Sequence, residues 1–322
     1  MSGRRRIIWI DDNPGRKSTA VDLGALFINV KDKNVSDEIA ALVQRPAPQL
    51  VVIDHVLDKT SESTHPFFQR GSTIAEAIKE KWPSCGVVGV TAADKLVEID
   101  LRTKGTYDAL FPIQNFAKYF RRINGIADGF SLVARGSYES QRLVRLLKPP
   151  KDEAKRLLEA LPDDLKKPSQ DASVASRLYG WVNHLMDRPG FLFDALWSAT
   201  FLGLNESGFE KVRPKLVKAI YAGLFSRPDE PHWWSTRLAE VLYTQSRPRT
   251  NELSWHAGRR LPGIQKRHFS VCYRCKEEFP ETVAFPDEAS TERHAMHLRC
   301  TMLHPLYKRE LYCEDIRIMR GE

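Results

Sequence analysis

Arg6-Ile-Ile-Trp-Ile-Asp-Asp-Asn-Pro14 is an apolar run that stops abruptly on two adjacent carboxylates, Asp11 and Asp12. Its branched and aromatic side chains suit a pleated, buried surface, which makes it strand-type sequence. A second apolar run, Leu50-Val-Val-Ile-Asp54, also ends on an aspartate, and a third, Gly86-Val-Val-Gly-Val-Thr91, ends on a hydroxyl. Ligands of an open parallel sheet bind in the crevice beyond the carboxyl ends of its strands. The three endings therefore predict one small acidic pocket built from Asp11, Asp12, Asp54 and Thr91.

Helical periods lie between these runs. Val21, Leu23, Leu26 and Phe27 space as one helix face, which predicts a helix over 18–27 with Ser18 or Thr19 as its cap. Residues 35–43 repeat the pattern before Arg45-Pro-Ala-Pro48 breaks it. A further helix is predicted over 71–82, closed by Pro83, another over 95–104, and a last short strand over 107–111. The continuous 50–53 run reads as a central strand buried on both faces. Alternation of this kind argues for a doubly wound α/β sheet.

These residues carry a resemblance. Residues 5–125 resemble the receiver domain of two-component response regulators, a flavodoxin-like fold with five parallel strands. The resemblance implies that Asp11 and Asp12 are the acidic pair that holds Mg²⁺, and that Asp54 accepts a phosphoryl group from a histidine kinase. It also makes the backbone carbonyl of Val56 a metal ligand and Thr91 the hydroxyl that senses the phosphoryl group. The chemistry is coherent without the family: Mg²⁺ prefers hard oxygens, and a carboxylate can attack phosphorus once charge is neutralised. The sequence also departs from the family. The lysine expected before the proline of strand five is replaced by Phe111, just ahead of Pro112, and the switch aromatic falls on Asp108, with Tyr107 adjacent. Residues 58–70 form a longer, more polar loop than the family's, readable as a lid, a partner-binding loop or a disordered stretch. The implied protein is an atypical receiver that keeps its acidic pocket without the full switch.

Size and composition bound the rest. With 322 residues, two or three domains are expected, because single cores stop growing at roughly 250 to 300 residues. The expected division is a receiver-like domain over 1–125, a helical domain over 126–255 and a zinc-binding module over 256–322. No apolar run approaches the roughly 18 residues that span a bilayer; the longest candidate, 191–204, is broken by Asp194. The opening Met-Ser-Gly-Arg-Arg-Arg lacks the apolar core of a signal peptide, so a cytoplasmic protein without a membrane partner is expected. The net charge of +8 is spread thinly, which reads first as solvated basic faces and second as a nucleic-acid footprint.

In the middle, 154–161, 172–186, 191–204, 209–225 and 233–243 all show helical spacing, separated by turn chemistry such as Arg188-Pro-Gly190. Trp181, Trp197, Trp233, Trp234 and Trp255 read as core aromatics. Trp233 and Trp234 diverge by about 100° on a helix, so one of the two is expected to face a partner. The basic stretch 256–268 reads as a linker able to touch phosphates.

Of five cysteines, four crowd the end of the chain. Cys272-Tyr-Arg-Cys275 followed by His297-Leu-Arg-Cys300 has the paired spacing of a tetrahedral Zn²⁺ site. A helix over 291–300 would put His297 and Cys300 on one face. His294, His304 and Cys313 are alternative ligands, and free thiols in a small core are the plainer reading. The motif resembles treble-clef zinc fingers, including the first half of LIM domains, over Cys272 to Cys300. Four protein ligands would make the zinc structural. Two function classes follow: a non-enzymatic signalling protein whose receiver controls its helical and zinc parts through contacts with a protein partner, either a histidine kinase or an effector, and a nucleic-acid-binding regulator. No nucleophile-base constellation or phosphate loop argues for an enzyme.

Overall fold

The computed structural model describes residues 7–31, 47–57, 70–167, 173–246, 253–278, 281–286 and 292–301. The helical period at 35–43, most of the 58–70 loop, His304 and Cys313 lie outside the described residues. The chain forms two compact units, one of Met1–Leu147, Leu158–Val182 and Arg227–Asp229, the other of Lys148–Leu157, Asn183–Ser226 and Glu230–Glu322.

The first unit is built on five parallel strands, β1 (Ile7–Asp11), β2 (Ala25–Asn29), β3 (Leu50–Asp54), β4 (Gly86–Thr91) and β5 (Ala109–Pro112). Their order in the sheet is β2-β1-β3-β4-β5, that of the flavodoxin-like fold. Every residue of β1, β3 and β4 is buried, as continuous apolar runs between neighbours on both sides require. The chain leaves β1 toward β2 on one side and returns to β3 on the other. The carboxyl ends of β1 and β3 are thus the switch point, where side chains of a ligand site can converge without a helix covering them.

Several local expectations are corrected. The helix expected over 18–27 is Lys17–Leu23, because Gly24 closes it in the left-handed region (φ 80°), and Leu26 and Phe27 belong to β2. Neither Ser18 nor Thr19 caps it; Asn13 caps the 3-10 turn Pro14–Arg16 just ahead. The helix expected over 95–104 is two, Ala93–Glu98 and Leu101–Lys104, since Asp100 breaks the run and caps the second through the Thr103 N–H. β5 starts two residues later than expected. The helix Gly71–Lys81 ends at Trp82 as its Pro83 predicts, and it begins on a glycine for a steric reason: a Cβ on Gly71 would lie 2.1 Å from the Asp54 carbonyl oxygen.

The second unit combines short helices with two antiparallel strand pairs. β6 (Leu192–Phe193) and β7 (Trp233–Trp234) pair antiparallel, and β8 (Thr282–Pro286) pairs with β9 (Arg293–His297). The helix expected over 191–204 is Ala195–Phe201, begun by the Asp194 side chain at the Trp197 N–H. That expected over 209–225 is Glu206–Val212 followed by the 3-10 stretch Arg213–Ala219, and that over 233–243 is Ser235–Ser246. Trp233 and Trp234 are both buried, at 0% and 3% exposure, so neither faces a partner. They are strand residues against Leu192 and Phe193, and the 100° divergence of a helix does not apply. Trp233 joins Trp197, Phe209, Trp255, Cys272 and Val283 in one apolar core. The 256–268 stretch is no free linker: Ala257, Leu261 and His268 are buried, the last in a capping box with Gln265. Among the described residues no helix is long and apolar enough to cross a membrane.

Candidate metal centres

The acidic pocket begins with strand periodicity. Side chains two apart share a face, so Trp9 and Asp11 point the same way and the indole Nε1–H donates to Asp11 Oδ2 at 3.0 Å. Asn13 then turns the chain: its N–H donates to Asp11 Oδ1 at 2.8 Å, while its own Oδ1 accepts from the Gly15 N–H at 2.9 Å. This Asx turn carries Arg16 back over the strand end. Its Nη1 donates to Asp11 Oδ2 at 2.9 Å and to Asp54 Oδ2 at 2.5 Å, joining the carboxyl ends of β1 and β3. Asp54 Oδ1 accepts from the Val56 N–H at 3.2 Å. Asp12 pairs with Lys31 at 3.2 Å.

One oxygen from each of Asp11, Asp12 and Asp54 lies within 4.8 Å of the others. Asp12 and Asp54, with Arg16, Thr91, Val56 and Lys95, line a cavity of about 480 Å³. Thr91 is buried, and its hydroxyl has no hydrogen-bond partner among the described residues. Burial and the neighbouring Asp11 charge push the Asp54 carboxyl up to about 6, against the opposing pull of Arg16 and the Val56 N–H. The charged form of Asp54 is poorly solvated, and a cation placed beside it favours that form.

The surroundings account for the departures in strand β5. Phe111 is buried among Phe116 and Tyr119, with the Arg122 guanidinium 5.2 Å from its ring centroid. Tyr107 is buried as well, its hydroxyl 3.2 Å from His55 Nδ1. Asp108 accepts from the Val87 N–H at 2.7 Å and pairs with Lys79 at 3.1 Å, so it anchors the edge of the sheet. Lys95 at the cavity rim pairs with Glu98 at 2.9 Å.

The second centre is the cysteine group. One ligand atom from each of Cys272, Cys275, His297 and Cys300 lies within 4.8 Å of the others. A tetrahedral zinc with bonds near 2.0–2.3 Å requires ligand separations of roughly 3.3–3.8 Å, so the set matches the ion with little adjustment. The knuckle closes through the Lys276 N–H to the Cys272 carbonyl at 2.9 Å, with Lys276 left-handed at φ 61°. The Tyr273 N–H bonds the Ala295 carbonyl at 2.8 Å, which fastens the knuckle to β9. Cys275 Sγ is 3.3 Å from His297 Nδ1, and the His297 N–H donates to Cys272 Sγ at 3.4 Å.

The helix expected over 291–300 is replaced by β9 and the short helix Leu298–Thr301. His297 and Cys300 still meet the knuckle, one as the last strand residue and the other from the first helical turn. His294 does not belong to the group; its ring stacks on Tyr273 with centroids 3.9 Å apart. Burial raises the Cys272 thiol, but the His297, Cys275 and Arg274 N–H groups outweigh it and leave the thiol below its ordinary value. Burial, followed by Cys272 and Cys275, pushes Cys300 up to about 12. Cys272 and Cys275 thus oppose the ionisation of Cys300, and a cation among the sulfurs would favour its thiolate.

The structure brings together the acids and Thr91, and separately Cys272, Cys275, His297 and Cys300, as the sequence reading grouped them, and adds Arg16 and Trp9, which it did not name. The only local signal for Arg16 is the Asn-Pro-Gly turn between it and Asp11, and nothing in the pattern says that the cation reaches Asp54.

No family model and no curated protein matches the chain. Among solved structures it is similar to a response regulator receiver domain protein from Clostridium thermocellum, at 18% identity over 40% of this chain and 98% of that one, with a TM-score of 0.31. It is similar at 12% identity to an adenylate cyclase from Rhodopirellula baltica, over 41% of this chain and 93% of that one, with a TM-score of 0.31. It is also similar at 13% identity to full-length FixJ from B. japonicum, over 57% of this chain and 100% of that one, with a TM-score of 0.34.

Proposed function

We propose that the chain is a signalling regulator whose first unit is an atypical receiver and whose second unit is a zinc-stabilised output region acting through protein contacts. The observation that carries this reading is the meeting of Asp11, Asp12, Asp54 and Thr91 at the switch point of a β2-β1-β3-β4-β5 sheet. Asp11, Asp12 and Asp54, with the Val56 carbonyl, would hold a Mg²⁺ ion, which supplies charge neutralisation between carboxylate and phosphate. An Asp54 oxygen attacks the phosphorus of a phosphohistidine or a small phosphodonor, forming the acyl phosphate as the donor's bond to phosphorus breaks. The Thr91 hydroxyl, without a hydrogen-bond partner among the described residues, donates to a phosphoryl oxygen. Phe111 supplies no cation to that oxygen, so the change passed on by β5 is weaker than in a receiver with a lysine there.

In the second unit Cys272, Cys275, His297 and Cys300 would hold a Zn²⁺ ion, and four protein ligands would make that site a structural one. The phosphoryl reading is tested by intact mass after incubation with acetyl phosphate and Mg²⁺. A gain of one phosphoryl group that Asp54→Ala abolishes is expected; no gain at all would reduce the unit to a docking scaffold.

A further inference from the structure

The acids of the first unit are already engaged by the chain's own donors. Asp11 Oδ2 receives Arg16 and Trp9, Asp11 Oδ1 receives the Asn13 N–H, Asp54 Oδ2 receives Arg16, and Asp54 Oδ1 receives the Val56 N–H. A magnesium ion binds carboxylate oxygens at about 2.0–2.1 Å and demands near-octahedral space around itself. Arg16 Nη1 lies 2.9 Å from one of these oxygens and 2.5 Å from the other. A metal bridging Asp11 and Asp54 through their Oδ2 atoms would lie against the guanidinium, two cations in one small space. The residues therefore do not accommodate a metal and Arg16 in this position together.

We infer that Arg16 is a tethered cation that takes the place of the divalent metal at Asp11 and Asp54, so that metal enters only when Arg16 swings out. This rests on the reading of the acidic group as a metal pocket. Three features favour a displaceable plug over a purely structural pair. Arg16 keeps 23% side-chain exposure whereas Asp11 and Asp54 are at 0% and 6%, so the cation can leave to solvent while the acids cannot. It is carried on a short 3-10 turn between β1 and the helix Lys17–Leu23, outside the strand ladder. The cavity it borders contains the buried Thr91 hydroxyl without a partner among the described residues, a donor that Arg16 does not use. Arginine, unlike lysine, holds its charge when half buried, and here its Nη1 reaches both carboxylates.

The consequence is a threshold. The resting pocket is partly charge-compensated without metal, one guanidinium against the two carboxylates it touches, and divalent ions must displace that cation to bind. The test is a Mn²⁺ titration of the full-length chain followed by the electron paramagnetic resonance signal of free Mn²⁺, with Mg²⁺ competition, on wild type, Arg16→Gln and Arg16→Lys. Mn²⁺ favours oxygen donors and leaves the thiolate group to its own metal. Arg16→Gln should bind roughly tenfold or more tightly than wild type, with Arg16→Lys between them because the shorter, strongly hydrated ammonium leaves the two acids for solvent more readily than the guanidinium does. Asp54→Asn in the Arg16→Gln background should remove the gain, which assigns it to this pocket. Tight binding by wild type, unchanged in Arg16→Gln, would overturn the plug while leaving the metal pocket standing. Absence of binding in every variant would overturn both. If Arg16→Gln fails to fold, Arg16→Lys decides by the same comparison.

Discussion

At the scale of single residues, the acidic pocket is a compromise between stability and readiness for a ligand. Thr91 holds a hydroxyl where hydrogen-bond partners are missing among the described residues, at 2% exposure. Leaving such a group unsatisfied costs about 1–3 kcal/mol. Thr91→Val keeps the shape and removes the orphan oxygen, so it should stabilise the unit by about 1 kcal/mol in denaturant titration. It should also lower the yield of acyl phosphate on incubation with acetyl phosphate and Mg²⁺. A loss of stability in the valine variant would mean that the hydroxyl is already satisfied. The acids and Thr91 were legible in the sequence because each ends an apolar run. Arg16 was not, because its reach to Asp54 spans 38 positions and depends on a turn geometry that the residue types permit without requiring.

Elements show where local pattern and tertiary demand diverge. Val21, Leu23, Leu26 and Phe27 suit a helix face, yet the helix ends at Leu23 and the last two belong to a strand. Gly24 decides this. At φ 80° it occupies a conformation that costs a residue with a Cβ about 1–2 kcal/mol, and the turn it makes sends Ala25 into register with Ile7. Gly24→Ala should therefore lower stability by about 1 kcal/mol, read as a lower midpoint of thermal unfolding. A neutral outcome would show that the turn relaxes without the left-handed residue. The same divergence appears at Trp233 and Trp234, where the helical reading failed because a two-residue ladder with Leu192 and Phe193 comes from forty positions upstream in the chain.

For the whole molecule, each unit has its own candidate metal centre, and the two differ in kind. The acidic centre is lined by charged groups and open space, whereas Cys272 lies within the same apolar core as Trp197, Trp233 and Val283. Metal at the cysteine group would thus be coupled to packing of the second unit, since site and core form together. Chelation, or Cys272→Ser, should remove one zinc per chain by metal analysis and destabilise the unit by several kcal/mol in thermal melts. A metal-free protein with an unchanged melt would reject the zinc reading and leave the cysteines as buried thiols. By itself the sequence determined the strand runs of β1, β3 and β4, the residues that end them and the paired cysteine spacing, because these patterns are local. Only the tertiary structure decided that Arg16 spans two strand ends, that both tryptophans are interior, and that His297 leaves a strand while Cys300 leaves a helix. Those meetings depend on distances through space, which the order of residues along the chain does not fix.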